Sequence, residues 1–245
     1  MDIDWEYPGY GPHKGTKDDK LNFTLLLQTI RDSLTALGEQ RDRYYYLSAA
    51  LPASITHARN IEVDKVSEIL DFLNIMTYDF FGPWDASSNH NAPLYASADG
   101  DSSYNFSGAF KLYNKTYRVP AQKINLGVPF YGQTFAGCVK LHGEHKGGAV
   151  GIFPEAGNAT YYEIVNHMGL FTRYWDDNAK VPFLISEAKQ IFVSYDDERS
   201  IEMKADYVLD NKARGLIIWQ IMGDYFENRE TPLLNVIFDK FSGTK

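Results

Sequence analysis

The first eight residues alternate polar and apolar side chains. Asp2, Asp4 and Glu6 occupy every second position, and apolar or aromatic residues lie between them up to Pro8. Because successive side chains of a β-strand point to opposite faces, this alternation predicts a strand with three acids on one face. Taken alone, the pattern also fits a half-buried strand whose charged face lies in water.

Further along the chain, apolar positions switch repeatedly between helical and strand-like spacing. Asp18 and Asp19 can cap a helix that continues at helical spacing to Gly38. Strands that alternate with helices are typical of a parallel α/β sheet. The predicted strands are 44–51, 72–78, 123–131 and 215–221; the predicted helices are 63–70, 106–117, 198–212 and 233–241, with a long loop at 79–101.

Residues 132–197 interrupt this alternation. The segment is too long for a strand-to-helix connection, and it contains strand-like pieces at 160–164 and 191–194. It is predicted to be an inserted α+β subdomain. The α/β domain would then comprise residues 1–131 and 198–245.

Composition and charge narrow the classes of partner. The 245 residues, 44% of them hydrophobic, can bury a sizeable core as one large domain or two small ones. A net charge of −8 opposes binding to nucleic acid or to anionic membranes, and no apolar run approaches the ~18 residues of a membrane span. The single cysteine, Cys138, excludes an intrachain disulfide. We expect no metal, since no histidine pair has ligand spacing with nearby acids.

Glycosylation sequons give a hint about location. Asn-x-Ser/Thr triplets begin at Asn22, Asn105, Asn114 and Asn158. They are typical of a secreted eukaryotic protein, although such triplets also arise by chance. Secretion would require a signal peptide upstream of Met1.

Four motifs in order resemble the chitinase-type glycoside hydrolases of family 18. The fourth barrel strand of that family carries Asp-Gly-x-Asp-x-Asp-x-Glu, often continuing as Trp-Glu-Tyr-Pro, and residues 2–8 match from the second Asp onward. The strand-six signature Met-x-Tyr-Asp is similar to residues 76–79. The strand-seven pattern resembles residues 127–132, and the strand-eight Trp resembles Trp219. The resemblance covers essentially the whole chain.

The resemblance implies a TIM-type (β/α)8 barrel with the α+β insertion between strands 7 and 8. Met1 would occupy the apolar position of the first motif, so we expect strands 1–3 to be absent and the residues before Met1 to be Asp-Gly. Five strands cannot close an eight-stranded barrel and would expose two sheet edges. The complete barrel is expected to be a monomer.

The implied activity is hydrolysis of β-1,4 bonds in chitin and chito-oligosaccharides without a cofactor. Glu6 is the last acid and the nearest to the barrel mouth, and its neighbours favour protonation, so we assign it as general acid and then base. In this family the acetamido carbonyl of the sugar itself attacks C1. By resemblance, Asp4 accepts the acetamide N–H, Asp2 hydrogen-bonds Asp4, and Tyr78 donates its hydroxyl to the acetamide oxygen.

Other residues are assigned to substrate binding. Trp219 would form the apolar floor beneath the reacting sugar. Asp79 and Tyr131 would contact sugar hydroxyls and the acetamide. Each candidate could instead have an ordinary packing role, and this holds also for Met76 in the strand-six motif and for the stacking candidates Trp84 and Trp175.

One position departs from the family pattern. Many members carry Arg after the strand-seven Tyr-Gly, whereas this chain has Gln133. Losing a fixed positive charge there changes how a sugar beside the cleavage point is held, so the specificity is left open.

Two further functions fit the same resemblance. The first is a non-catalytic chitin-binding lectin, although lectin members typically lose the acid and Glu6 is present. The second is an endo-β-N-acetylglucosaminidase that cuts the core of N-glycans. The presence of Tyr78, Trp219 and the long insertion favours the chitinase.

Overall fold

A computed structural model describes residues 1–98 and 100–243. These residues form two five-stranded sheets, with strands numbered in chain order. Neighbouring strands in the first sheet are all parallel. Its order is β1 (Asp2–Asp4), β2 (Ser48–Pro52), β3 (Phe72–Met76), β4 (Ile124–Pro129) and β10 (Gly215–Trp219).

Helices connect and flank these parallel strands. The three inner strands are almost fully buried, whereas the edge strands β1 and β10 are partly exposed. The predicted α/β fold with a parallel sheet is confirmed. The helices are α1 (Asp19–Arg41), α2 (Ile55–Ala58), α3 (Val63–Ile69), α4 (Phe106–Lys111, continued by a π-helical turn at Leu112–Thr116), α5 (Tyr161–Asn166), α6 (Glu198–Asp210) and α7 (Pro232–Ser242).

The second sheet is antiparallel and follows the first directly. Only Phe130 separates β4 from β5, so the chain passes from one sheet into the other without a loop. Its order is β6 (Asn158–Thr160), β5 (Tyr131–Ala136), β9 (Ile191–Ser194), β8 (Val181–Ser186) and β7 (Thr172–Asp176). The predicted strand at 191–194 is therefore correct.

The opening strand is shorter than the alternating pattern predicts. Pairing with β2 ends at Asp4, so Glu6 lies beyond the strand in an irregular segment. Polar and apolar residues can alternate in the sequence without pairing to another strand, so the pattern runs on past the end of β1. The strand predicted at 44–51 likewise begins only at Ser48, because the preceding tyrosines are held outside the sheet by Arg31 and Asp71.

The strand-like piece predicted at 160–164 is wrong. Thr160 ends β6, and the following residues begin α5. The side-chain oxygen of Thr160 accepts from the backbone N–H of Glu163, and the Glu163 carboxylate accepts from the N–H of Thr160. This capping box fixes a helix start, which outweighs the β-propensity of the intervening tyrosines.

The first helix runs past its predicted end at Gly38. A single internal glycine costs a helix only about 1 kcal/mol, and α1 continues to Arg41, after which Asp42 takes a left-handed conformation with a φ of 49°. The predicted loop at 79–101 contains Asp99, which lies outside the described residues.

A buried ion pair joins the second sheet to the helical layer. Asp196 follows β9, and both of its carboxylate oxygens accept from Nζ of Lys204 on α6, at 2.7 and 2.6 Å. The Ser200 hydroxyl donates to the same carboxylate at 2.6 Å. The Lys204 and Asp196 side chains are 0% and 1% exposed, so each charge depends on the other for compensation.

We expect Lys204→Met to lower the free energy of unfolding by about 3–5 kcal/mol, because it leaves the Asp196 carboxylate buried without a cation. Urea denaturation monitored by circular dichroism measures the difference. Lys189→Met removes an exposed lysine and serves as the matched control, with an expected change within about 0.5 kcal/mol. Equal destabilisation by the two variants would contradict the assignment.

Candidate active site

A cavity of about 350 Å³ opens between the two edges of the parallel sheet. β1 and β10 stand at opposite ends of the strand order, yet both contribute to its lining. Strands from opposite edges can line one cavity only if the sheet between them curls. The cavity brings together Asp2, Asp4, Glu6, Met76, Tyr78, Asp79 and Trp219 from the predicted site residues.

Asp2 is held by a chain of side-chain hydrogen bonds across four strands. Its Oδ1 accepts from the Ser48 hydroxyl at 2.6 Å and from the Asn74 amide at 3.0 Å. The Asn125 amide in turn donates to the carbonyl oxygen of Asn74 at 2.8 Å. These neighbours come from β2, β3 and β4, so parallel pairing fixes the orientation of the Asp2 carboxylate.

Asp4 lies between two other carboxylic acids of the cavity, Asp2 and Glu6. Burial raises the pKa of Asp4, and the charges of Glu6 and Asp2, together with a side-chain hydrogen bond to Glu6, raise it further. A raised pKa means that Asp4 holds a proton more readily than an ordinary aspartate. The cavity therefore contains clustered carboxyl groups of the kind that general acid catalysis uses.

The Tyr78 ring is positioned by a glycine on the next strand. A Cβ at Gly127 would lie 2.6 Å from the Tyr78 ring, so the absence of a side chain there makes room for it. Just before this ring, the Thr77 hydroxyl donates to the carbonyl of Gly127 at 2.7 Å. Burial, followed by the charge of Asp79, raises the pKa of Tyr78, so its hydroxyl keeps its proton and can donate.

Asp79 is fixed by hydrogen bonds to both its backbone and its side chain. It has a φ of 55°, and its backbone N–H donates to the Asn91 side chain at 2.9 Å. Its Oδ1 accepts from the Tyr131 hydroxyl at 2.7 Å and from the Gln133 amide at 2.8 Å. Tyr131 is 7% exposed and outside the cavity lining, so it reaches the site through Asp79.

A second cavity of about 480 Å³ adjoins the first. Both are lined by Tyr7, Met76, Tyr78 and Asp79, so they form one groove. Trp84 lines only the second cavity and is 63% exposed, with its ring over Gly82, where a Cβ would lie 2.3 Å from the ring. An exposed indole held over backbone presents a flat face to a ligand.

The remaining tryptophans differ in their surroundings. Trp219 ends β10, is 57% exposed and lines the first cavity, and a cis peptide bond joins it to Gln220. Glu6 and Tyr7 are also joined by a cis peptide bond. Trp175 lines neither cavity, and the Arg199 guanidinium lies 3.9 Å from its ring centroid. It packs within the second sheet and its neighbouring helix.

Sequence reasoning missed the residues that orient the acids. Asn74 and Asn125 are polar residues within apolar strands, and this is the signal that could have identified them. The role of Ser48 depends on strand register, and that of Asn91 depends on the path of a loop. Neither role can be recognised from the neighbouring residues in the sequence. Gln133 was recognised as a departure from the family pattern, but not as a partner of Asp79.

In residues 1–98 and 100–243, no three or more His, Cys, Asp or Glu side chains are grouped so that they could hold a metal ion. None of the helices described there combines the length and apolarity needed to cross a membrane.

An α/β fold whose parallel strands carry clustered carboxylic acids into an aromatic-rimmed groove is the arrangement of a glycoside hydrolase. The chain belongs to the glycosyl hydrolases family 18, whose family model matches residues 1–224. A chitinase of Niallia circulans is 40% identical over 91% of this chain. A Bacillus thuringiensis chitinase structure has a TM-score of 0.88 at 34% identity, covering 99% of this chain and 43% of that one.

A third relative was solved with a ligand. The Group IV chitinase of Ostrinia furnacalis in complex with allosamidin has a TM-score of 0.88 at 30% identity, and the match covers 99% of this chain and 67% of that one. The chain spans only 34% of the Niallia circulans chitinase and 47% of a probable chitinase of Drosophila melanogaster.

The asparagine pair beneath Asp2 gives a first prediction for the site. Asn74→Leu removes a donor to Asp2 and the acceptor for the Asn125 amide, so we expect a loss of about 1–3 kcal/mol of unfolding free energy. The double variant with Asn125→Leu should recover part of this loss, because the unpaired amide is also removed. Urea denaturation of both single variants and the double variant measures the coupling between the two asparagines. If the two losses of unfolding free energy simply add, the prediction is contradicted.

The loop that carries Asp79 is anchored at a buried histidine. His90 is fully buried, and its Nε2 lies 3.1 Å from Oδ2 of Asp176 on β7. Backbone N–H groups of Asn178 and Ala179 donate to the other carboxylate oxygen at 2.8 and 3.0 Å. Although burial opposes ionisation, these hydrogen bonds lower the pKa of Asp176 to about 2.

This anchor predicts a pH dependence of stability. The Asp176 contribution is complete above its ordinary pKa of 3.8 and is lost as the pH falls toward 2, and it amounts to about 2 kcal/mol. We expect Asp176→Asn to lower stability near neutral pH and to flatten the acid limb of the stability curve. Urea midpoints across the acid range measure this effect. The neighbouring exposed acid offers a control in Asp177→Asn, and identical acid limbs in the two variants would contradict the prediction.

Proposed function

We propose that the protein hydrolyses β-1,4 glycosidic bonds in chitin and chito-oligosaccharides by substrate-assisted, retaining catalysis. The observation that carries the proposal is a single cavity lined by Asp2, Asp4, Glu6, Tyr78 and Trp219. These residues supply an acid, two further carboxylates, a phenol donor and an apolar face. That set fits a sugar bearing an acetamido group.

The first step is cleavage with help from the sugar. Glu6 gives its proton to the glycosidic oxygen as the C1–O bond breaks, and the acetamido carbonyl oxygen of the same sugar bonds to C1. The positive charge spreads over the resulting oxazolinium ring. Asp4 accepts the acetamide N–H and stabilises this charge, while the Tyr78 hydroxyl orients the acetamide oxygen.

The second step restores the sugar and the enzyme. Glu6, now a carboxylate, removes a proton from water as the water oxygen attacks C1 and the bond to the acetamide oxygen breaks. Two displacements at C1 retain its configuration. Asp2, oriented by Ser48 and Asn74, keeps negative charge beside Asp4 through both steps.

The groove around this centre would hold the sugar chain. Trp219 provides the floor beneath the reacting sugar, and Met76 lines the same cavity beside Tyr78. Trp84 stacks on the neighbouring sugar in the second cavity. Asp79, held by Tyr131, lines both cavities and would contact hydroxyls on either side of the cleaved bond.

The proposed architecture is a TIM-type barrel of which this chain supplies strands 4–8. Residues 1–131 and 198–245 would form the barrel domain, with 132–197 as an α+β subdomain inserted between strands 7 and 8. Two observations support it: both edge strands of the parallel sheet are partly exposed, and both line one cavity. We propose further that the complete protein is a secreted monomer.

A chitin-binding lectin and an endo-β-N-acetylglucosaminidase are the competing functions. A lectin does not require an acid in the cavity, whereas Glu6 lines it together with Asp2 and Asp4. The second cavity beyond Tyr7 offers room for a further sugar along a linear chain, which favours a polymer of aminosugars over a branched glycan.

Release of a chromophore from a diacetylchitobiose glycoside tests the hydrolase directly. We expect Glu6→Gln to lower kcat at least about a hundredfold, because the amide cannot donate and recover the proton. Binding of chito-oligosaccharide should persist in the variant, since the rest of the groove is unchanged.

Glu187→Gln, an exposed substitution after β8, provides the matched control and should keep the wild-type rate. A Glu6→Gln protein that retains most of its turnover would overturn the acid assignment. Tight oligosaccharide binding with no chromophore release by the unsubstituted protein would favour the lectin.

A further inference from the structure

The groove formed by the two cavities carries charge of one sign only. The described residues that line it include five carboxylic acids, Asp2, Asp4, Glu6, Asp79 and Asp85, and neither lysine nor arginine. The one basic group among these described lining residues is His57, which stacks on the Tyr7 ring with 4.6 Å between centroids. Burial, with the charge of nearby exposed Arg59, lowers the pKa of His57, so it is neutral near pH 7.

Asp79 lies where the two cavities meet, and its hydrogen bonds come from neutral groups. Tyr131 and Gln133 both donate to Oδ1, and the described salt bridges do not include Asp79. Burial raises the pKa of Asp79, and the charge of Glu6 adds to this effect. Asp79 is exposed in the groove, so a cation can approach its Oδ2 and stabilise the ionised carboxylate.

Asp85 adds a second carboxylate to the lining of the second cavity. One of its oxygens accepts from the backbone N–H of Gly82 at 2.9 Å, and this contact fixes the side chain. The group is partly buried, and the described salt bridges do not include it either. The exposed face of Trp84 belongs to the same cavity. The cavity therefore combines a flat apolar surface for a sugar ring with two carboxylates that lack a cation.

We infer that this second cavity prefers a sugar with a free, protonated amino group, a glucosamine unit of partially deacetylated chitin, over an N-acetylated unit. The ammonium group would donate to Asp79 and Asp85 while the ring stacks on Trp84. A charge-assisted hydrogen bond is stronger than the neutral amide contact that an acetylated unit could offer. The inference rests on the proposed function, because that function defines which sugar reacts.

The chemistry restricts the amino sugar to this side of the groove. In the substrate-assisted reaction the sugar in the first cavity must keep its acetyl group, since the acetyl carbonyl attacks C1. Glu6 protonates the oxygen of the departing sugar, and that sugar occupies the neighbouring second cavity. Cleavage is therefore expected between an acetylated unit and the deacetylated unit that follows it.

Calorimetric titration of the Glu6→Gln protein measures the preference without turnover. The two ligands are the fully acetylated tetramer and a tetramer with one internal glucosamine, both at mildly acidic pH, where the amino group is protonated. We expect the glucosamine tetramer to bind about fivefold more tightly at low salt, with the ratio falling as salt is raised. Equal binding, or tighter binding of the acetylated tetramer, would overturn the inference.

Three further substitutions, each made in the Glu6→Gln protein, test which residues cause the preference for the glucosamine tetramer. Asp85→Asn keeps the acceptor for Gly82 and removes the charge, and Gln133→Arg places a cation beside Asp79; each should reduce the ratio at least about twofold. Glu187→Gln makes the same change in net charge outside the groove and should leave the ratio unchanged. A ratio that survives both Asp85→Asn and Gln133→Arg in folded protein would overturn the assignment to these carboxylates.

The outcomes separate this inference from the proposed function. The chromophoric substrate has no amino sugar on its leaving side, so it tests hydrolysis alone. Chromophore release together with equal tetramer affinities would leave the hydrolase standing and reject the amino-sugar preference. Tighter glucosamine binding without any release would reject the hydrolase and retain the charge preference of the groove.

Discussion

The curvature of the parallel sheet is the constraint on which the site depends. β1 and β10 lie at opposite ends of the strand order, and only a curled sheet lets both line the same cavity. The acids enter from one edge and Trp219 from the other, with Tyr78 between them. No local segment contains the site. Parallel pairing of β1 through β4 with β10 creates it by setting the curl and aligning the strand ends.

Polar groups within the sheet turn this alignment into a defined geometry. The inner strands are buried, so a polar side chain there must find a partner. Asn125 bonds Asn74, and Asn74 bonds Asp2, so the requirement to satisfy buried amides extends across the sheet to a carboxylate in the cavity. Beyond this sheet, the ion pair of Lys204 and Asp196 holds α6 against the segment that follows β9. Stability and positioning therefore use the same kind of buried polar contact.

The sequence predicted best those features that depend on the spacing of nearby residues or on a short motif. Alternating apolar spacing predicted the α/β order and a parallel sheet, and the four ordered motifs identified the family. The errors came from competition between local signals, as at Thr160, where a capping box outweighed a β-like run, and at Glu6, where alternation continued past the end of pairing. The partners of Asp2 could not be predicted, because they depend on register between strands more than 40 residues apart.

Charge in the groove depends on the neutral side chain at position 133 as well as on the acids themselves. An arginine at position 133 would have given Asp79 a permanent partner and neutralised the junction of the two cavities. Gln133 supplies a hydrogen bond of 2.8 Å to the same oxygen but no charge. The carboxylate stays oriented while its charge is left without a cationic partner. A ligand with a protonated amine can provide a cation there, so a neutral residue at position 133 favours an amino sugar in the groove without altering the acids proposed to carry out the cleavage.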